Sequence, residues 1–327
     1  MGRRGPAVRA SLRAERLRGE HDASRGTVRG TPVLSSASIS ERCGGAVALK
    51  AECLQRTGSF KLRGALAKLR ALSRQPGELR GVVAGSAGNH GQSLAYAARH
   101  HGVPCEIFMP VDAAVSKVAA VRAFGATVHQ RGASVDECVA LAAERAREAG
   151  FTLVHPFDDD DVIAGQAGLG IELIDEVPDL RKVIVPIGGG GLASGVALAV
   201  KQARPEVEVV GVQARACAPV AESLARGSVV VASASQTIAD GIAIKRPGEI
   251  TLPLLERWLD DVVTVDEAAI AEAMVLLLER AKLLVEGAGA ASAAALLSGA
   301  VAPAARGTTV AVLSGGNVDI GLVSTIA

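Results

Sequence analysis

One pattern recurs between residues 79 and 152: a short apolar run, a turn, and then a helical stretch. The apolar runs cover residues 81–84, 103–109 and 126–129, and the helices predicted after them end at residues 100, 124 and 149. Parallel strands need a crossover connection, usually a helix, so this alternation is typical of a parallel sheet with helices on its faces. The pattern therefore predicts an α/β fold, with residues 79–152 as a small domain.

The alternation continues on both sides of this segment. We predict further strands over residues 46–50, 151–154, 183–187, 207–212 and 308–313, and helices over residues 64–72, 162–177 and 267–281. A chain of 327 residues is too long for one small core and suits two domains. We therefore assign residues 26–78 and 153–327 together to a large domain.

Composition excludes several classes of protein. Hydrophobic residues make up 49% of the chain and the net charge is +1, which argues against a nucleic-acid or acidic-membrane partner. No uncharged apolar run reaches the roughly 18 residues of a transmembrane helix. The five cysteines are scattered, as expected of reduced thiols, and they favour a cytoplasmic location.

The first 25 residues form an Arg-rich N-terminal extension. They contain seven arginines and few large apolar residues. Residues 11–17 have helical character, so the extension is either a leading helix or a disordered arm. No lysine or aromatic side chain accompanies the arginines, which argues against an arm that binds nucleic acid.

Four consecutive glycines, Gly188, Gly189, Gly190 and Gly191, lie between a predicted strand and a predicted helix. Glycine lets the backbone approach a ligand closely, and the free N–H groups at a helix N-terminus attract an anion. A dinucleotide site is the competing interpretation. It is disfavoured because Gln213 lies at the end of the next strand, where an acidic residue would hold the ribose. The run therefore predicts an anion site.

Lys61 lies in the stretch Gln55–Ala65, just after the strand predicted over residues 46–50. An amine at this place could attack a carbonyl group, provided that its pKa is lowered or a cofactor aldehyde is near. The alternative interpretation is a surface lysine at the start of a helix. The other motifs of the chain favour the first interpretation.

Four motifs occur in one order: Ser59-Phe60-Lys61, Ser86-Ala87-Gly88-Asn89-His90, the glycine run, and Ser314-Gly315-Gly316-Asn317. In this respect the chain resembles fold-type II pyridoxal-phosphate enzymes, in the branch of the serine/threonine dehydratases and serine racemase. The resemblance covers roughly residues 29–320. It implies a two-domain α/β fold like that of the tryptophan synthase β subunit, with parallel-type sheets flanked by helices, and pyridoxal 5'-phosphate as the cofactor.

The resemblance also implies roles for single residues. Lys61 would bind the cofactor aldehyde and later act as a base at the substrate Cα. Phe60 would pack on the pyridine ring, Asn89 would hydrogen-bond the phenolic oxygen, and Gly188 to Gly191 would hold the phosphate. Ser86 and the amides of its loop suit the substrate carboxylate. A substrate-side role for His90 stays open.

Two further residues match the family's site. Ser314 would face the pyridine nitrogen, and a serine cannot keep that nitrogen protonated, which favours β-elimination over competing reactions. Glu286 matches a glutamate near the active site, although it could equally be an ordinary acid at a helix start. Ala87 occupies the position where racemases of this branch carry a serine, and dehydratases carry alanine.

We expect no metal site. Members of this branch often bind a divalent cation through an acid just after the strand that ends near residue 212, and residues 213–219 contain none. The four aspartates from Asp158 to Asp161 precede a predicted helix, where acids favour the helix dipole, so we predict no metal there either.

These features predict β-elimination from L-threonine or L-serine, which releases a 2-oxo acid and ammonia. Within enzymes, a 3-hydroxyaspartate dehydratase and a serine racemase are the alternatives; outside them, a non-catalytic protein that binds the cofactor or a ligand. We expect a homo-oligomer, either a dimer or a tetramer. The chain ends ten residues after Asn317, so we expect no C-terminal regulatory domain.

Overall fold

The computed structural model describes residues 12–233 and 236–326. Residues 1–11 of the predicted extension lie outside this range. The rest of the extension forms helix α1, Ala14–Ser24, as in the first of the two predicted alternatives. Arg18 of this helix pairs with Asp175 at 2.6 Å, so its basic face is held against the protein.

The larger sheet has six strands in the described part of the chain, in the order β1-β2-β10-β7-β8-β9. Only β1 runs antiparallel to its neighbour. The strands are β1 Val33–Ser35, β2 Val47–Ala51, β7 Leu180–Pro186, β8 Glu208–Ala214, β9 Asp261–Val265 and β10 Thr308–Leu313.

The smaller sheet has the order β5-β4-β3-β6 within the described residues, and all its strands are parallel. They are β3 Val82–Gly85, β4 Cys105–Met109, β5 Thr127–Gln130 and β6 Thr152–Leu153, and the helices between them are α4 Asn89–His101, α5 Val115–Ala123 and α6 Val135–Ala149. Strand β6 pairs with β3, so this sheet reaches Leu153, one residue beyond the predicted small domain. The division into domains stays a prediction.

Further helices surround the two sheets. They are α2 Ala37–Cys43, α3 Lys61–Ser73, α7 Asp160–Glu176, α8 Gly191–Ala203, α9 Pro219–Arg226, α10 Thr251–Trp258, α11 Glu267–Leu276, α12 Gly287–Leu297 and α13 Ile320–Ile326. The alanine-rich α12 is almost fully buried. No helix within the described ranges is long and apolar enough to cross a membrane. The predicted α/β fold with parallel sheets flanked by helices is confirmed.

Apolar burial explains the strands. The central strands of both sheets are buried on both faces, and such strands read as continuous apolar runs in the sequence. Helix α3 reaches α7 closely because both carry glycine at the contact: a Cβ on Gly165 would collide with the Arg63 carbonyl. This contact fixes the start of α3, where Lys61 lies.

Two local predictions need correction. The helix predicted over residues 267–281 is α-helical only to Leu276 and continues as a π-helical turn over Leu277–Ala281. Of the four aspartates, Asp158 lies before α7 and accepts hydrogen bonds from the N–H groups of Ile250 and Thr251. Asp158 therefore caps the start of α10 and not the start of α7.

Candidate active site

The predicted site residues meet at the carboxyl ends of the strands, where ligands bind in open α/β sheets. Gly188 follows β7, Ser314 follows β10 and Ser86 follows β3. The Lys61 and Ser314 motifs are joined directly: Ser59 pairs with Gly315, and the Phe60 N–H donates to the Ser314 carbonyl at 3.0 Å.

The Lys61 amine lies in a desolvated place. Its Nζ donates to the Pro156 carbonyl at 2.8 Å and lies 5.2 Å from the centroid of the Phe60 ring. Burial lowers the pKa of Lys61 to about 8, against a smaller opposing effect of Glu286. No carboxylate of the described residues forms an ion pair with this amine. A neutral amine is therefore available near neutral pH, as nucleophilic catalysis requires.

The glycine run turns from β7 into α8. Gly190 has φ +99°, a conformation that side chains rarely adopt, and a Cβ on Gly189 would collide with the Phe157 ring. Thr251 Oγ1 donates to the Gly189 carbonyl at 2.6 Å and thereby anchors the loop to the start of α10. Within the described chain, no hydrogen bond engages the N–H groups of residues 188–193. These free donors at a helix N-terminus suit an anion.

Asn89 and Glu286 face each other. Asn89 Nδ2 donates to Glu286 Oε1 at 2.6 Å. Burial, and then the charge of Asp240, raise the pKa of Glu286 to about 7, while the hydrogen bond from Asn89 opposes the shift. Glu286 therefore releases its proton less readily than an exposed carboxyl group, and its side chain contacts Asn89 of the second motif.

Ser86 and His90 both contact the backbone. Ser86 Oγ accepts hydrogen bonds from the N–H groups of Gly88 at 3.2 Å and Gly91 at 3.1 Å, which leaves its hydroxyl hydrogen for a ligand. His90 Nε2 donates to the Val154 carbonyl at 3.0 Å, and burial lowers the pKa of His90 to about 3. His90 is therefore a neutral imidazole that ties α4 to the end of β6.

The segment after β6 was missed in the sequence. The Pro156 carbonyl holds Lys61, and the Phe157 ring packs against the glycine run. His155 Nδ1 accepts from the Asp158 N–H at 2.8 Å, and burial lowers the pKa of His155. One signal was present, since the predicted strand over residues 151–154 has a carboxyl end at the same edge as the other strands.

Asn317 was part of a motif but not of the predicted site. Its Nδ2 donates to Asn89 Oδ1 at 2.7 Å, so the last motif reaches the second one through side chains. Ser314 is 3% exposed at the end of β10. Asn89, Glu286 and Ser314 therefore lie around the Lys61 motif.

The stretch after β8 is engaged in structural contacts. Gln213 Oε1 accepts from the Ala221 N–H at 2.9 Å, and its Nε2 donates to the Ile187 carbonyl at 3.4 Å. Among the residues that the structure describes, no group of three or more His, Cys, Asp or Glu side chains could hold a metal ion. The absence of a cation requirement stays a prediction.

Comparison with known proteins agrees with this site. The family described as "Pyridoxal-phosphate dependent enzyme" matches residues 25–315. The chain is 45% identical over 307 residues to an L-threonine ammonia-lyase of Geobacter sulfurreducens, covering 93% of this chain and 75% of that protein. It is 41% identical to the catabolic L-threonine dehydratase TdcB of Escherichia coli, covering 88% of both chains.

A solved structure of maize serine racemase has the same fold. Its TM-score is 0.90 at 35% identity, and the match covers 96% of each chain. The predicted resemblance and the predicted cofactor are thereby confirmed. The family match spans most of the chain, and it includes Lys61, the glycine run and Ser314. The chain belongs to the family of pyridoxal-phosphate dependent enzymes.

Proposed function

We propose that the protein is an ammonia-lyase that removes the β-hydroxyl group and the amine from L-threonine or L-serine, releasing a 2-oxo acid and ammonia. The observation that carries the proposal is the Lys61 amine, whose pKa is lowered to about 8 and which faces no ion-pair partner among the described residues. Relatives named L-threonine ammonia-lyase and L-threonine dehydratase support the choice of reaction.

The residues fit pyridoxal phosphate. The N–H groups of residues 188–193 lack partners in the described chain and would hold the phosphate. Asn89 would hold the phenolic oxygen, Ser314 the pyridine nitrogen, and Phe60 would pack on the ring. Ser59 Oγ is a buried hydroxyl without a partner in the described structure, and it marks a polar place left for a ligand. When bound, the cofactor supplies an electron sink for the charge that develops at the substrate Cα.

Lys61 Nζ would move the proton. Its neutral amine would take the Cα proton of the substrate, for which a pKa near the working pH is favourable. The Pro156 carbonyl keeps this amine at the site by accepting one of its hydrogen bonds. Ser86 Oγ and the N–H groups of its loop would orient the substrate carboxylate. Ser314 would donate a hydrogen bond to the pyridine nitrogen without keeping it protonated, which would favour elimination over return of the proton to Cα.

A racemase is the second candidate, because the fold matches maize serine racemase. Racemisation needs a proton donor on the face of Cα opposite the lysine. By the resemblance, position 87 lies on that face, and the methyl group of Ala87 has no proton to give. His90 is not a substitute, because its Nε2 hydrogen is used on the Val154 carbonyl. We therefore favour the lyase.

A test of keto-acid release over a panel of amino acids separates the alternatives. We expect a 2-oxo acid and equimolar ammonia from L-threonine or L-serine, and little from D-serine or 3-hydroxyaspartate. The matched control is Lys61→Ala, which should release neither. A visible absorbance that shifts with amino acid but yields no keto acid would contradict the lyase and favour a binding protein. If 3-hydroxyaspartate released the most 2-oxo acid, it would replace L-threonine and L-serine as the proposed substrate.

The substrate is thus a small hydroxy amino acid. A homo-oligomer, whether dimer or tetramer, and a cytoplasmic location belong to the same proposal. Sedimentation would test the oligomeric state, and cell fractionation would test the location.

A further inference from the structure

The chain contains only two asparagines, Asn89 and Asn317, and their side chains are hydrogen-bonded to each other at 2.7 Å. Asn89 begins α4 and Asn317 follows β10, so 228 residues separate the partners. An asparagine amide carries a donor and an acceptor on one carbon. The two asparagines of the chain therefore meet at one contact, where a donor and an acceptor are both needed.

Thr57 determines which end of the Asn317 amide faces it. Asn317 Nδ2 donates to the Thr57 carbonyl at 2.8 Å. A carbonyl oxygen only accepts, so the reverse orientation of the amide would bring two oxygens together. Both N–H bonds of the Asn317 amide are then in use, one on Thr57 and one on Asn89.

The Asn317 amide in turn orients Asn89. Asn89 must present Oδ1 to it, so the Asn89 nitrogen faces the other way and donates to Glu286 Oε1 at 2.6 Å. Glu286 alone would not fix this choice, because a carboxyl group accepts or donates according to its proton, and its pKa lies at about 7. Asn317 is neutral and anchored on a backbone carbonyl, so it imposes the same orientation whether or not Glu286 is ionised.

Two glycines bring the backbone close to this chain of hydrogen bonds. A Cβ on Gly58, which has φ +71°, would collide with Asn317 Oδ1, and a Cβ on Gly315 would collide with Glu286 Oε1. The amides are therefore enclosed from two sides. After its bond to Glu286, the Asn89 nitrogen keeps one N–H without a partner among the described residues.

We propose that Asn317 is a positioning residue: by holding the Asn89 oxygen, it directs the remaining N–H of Asn89 to the cofactor's phenolic oxygen. Asn317 acts through Asn89 and needs no contact of its own with the cofactor. The inference rests on the proposed role of Asn89 in the pyridoxal-phosphate site. It differs from a purely structural role, in which Asn317 would only tie the loop after β10 to Thr57.

A double-mutant cycle separates these two roles. Apo protein is titrated with pyridoxal phosphate, and visible absorbance gives Kd for the wild type, Asn317→Ala, Asn89→Ala and the double variant. We expect Asn317→Ala to weaken binding about tenfold alone but less than about twofold when Asn89 is already alanine, since its effect passes through Asn89. An equal factor in both backgrounds, or no effect in either, would overturn the inference.

A second variant guards against misfolding. Asn317→Asp keeps the size but places oxygen against both the Thr57 carbonyl and Asn89 Oδ1, so its loss of cofactor affinity should exceed that of Asn317→Ala. The control Gln75→Glu adds the same charge on an exposed loop and should leave Kd unchanged. Thermal denaturation of each apo variant checks folding. A wild type that binds no pyridoxal phosphate would contradict the cofactor site itself. A wild type that binds it, with no coupling between the two asparagines, would contradict only the role of Asn317.

Discussion

The lowered pKa of Lys61 predicts how the apo protein captures its cofactor as the pH changes. Only the neutral amine attacks an aldehyde. Burial lowers the pKa of Lys61 to about 8. At about pH 7.5 a lysine of ordinary pKa is about 0.1% neutral, whereas one with a pKa of about 8 is about 24% neutral, which is a gain of about 200-fold.

The shape of the pH profile is the sharper test. Between about pH 6.5 and 9.5 the neutral fraction of Lys61 should rise about 30-fold and level off, with a midpoint near the pKa of about 8. An ordinary lysine would gain about 900-fold over the same interval without levelling off. Lowering of the pKa therefore makes capture less dependent on pH, because the amine is already largely neutral above its midpoint.

Stopped-flow absorbance of the apo protein mixed with pyridoxal phosphate measures this rate. The second-order rate constant should follow a single titration with its midpoint near 8, and Lys61→Ala should show no covalent phase. Titration of the cofactor alone, recorded in parallel with a free amine, corrects for its own ionisation. A rate that still rises about sevenfold per pH unit at pH 9.5, as for an ordinary lysine, would refute the desolvated amine.

Three more predictions concern stability, reaction course and metal. Arg63→Met should destabilise the protein by about 3–5 kcal/mol in chemical denaturation, because Arg63 is 2% exposed and its loss would leave the buried Glu52 without its ion pair and Glu172 with only Lys50. The half-exposed pair of Arg18 should give less than about 1 kcal/mol on Arg18→Met, and equal losses would contradict this. Ala87→Ser should gain D-serine formation from L-serine in chiral chromatography. Abundant D-serine from the native protein would show that a proton donor already reaches the face of Cα opposite Lys61. A chelator should change neither activity nor melting temperature, and a loss that magnesium or calcium restores would reveal overlooked oxygen ligands.

Much of the site could be predicted because strand ends are visible in the sequence. Gly188, Ser314 and Ser86 each follow an apolar run, and parallel strands bring their carboxyl ends to one edge. The predicted cofactor family then followed from the order of the motifs. These inferences need only local patterns and one topological rule.

Other features depend on contacts that the sequence does not show. The Pro156 carbonyl that holds Lys61 is a backbone group, and any residue type could have supplied it. The ion pairs of Arg63 join residues 11 and 109 positions away, which no local period links. The bond between Asn89 and Asn317 depends on how two loops meet, although the absence of other asparagines was visible from the start.

The strand predicted over residues 151–154 is present as β6, but its place in the smaller sheet was not predicted. Strand β6 is two residues long and pairs with β3, so its place depends on one neighbour rather than on its own pattern. The residues just after β6 supply Pro156 and Phe157 to the site, so this edge also carries the part of the site that the sequence did not reveal.

Reductive trapping shows which lysine binds the cofactor. The holoenzyme is reduced with borohydride, digested and mapped by mass spectrometry. We expect one pyridoxyl label, on the peptide that contains Lys61. Lys50 is fully buried against Glu172 and Glu176, and Lys68 pairs with Asp159 and Asp161, so neither amine is available. A label on Lys50 or Lys68, with Lys61 unmodified, would contradict the assignment of the cofactor to Lys61.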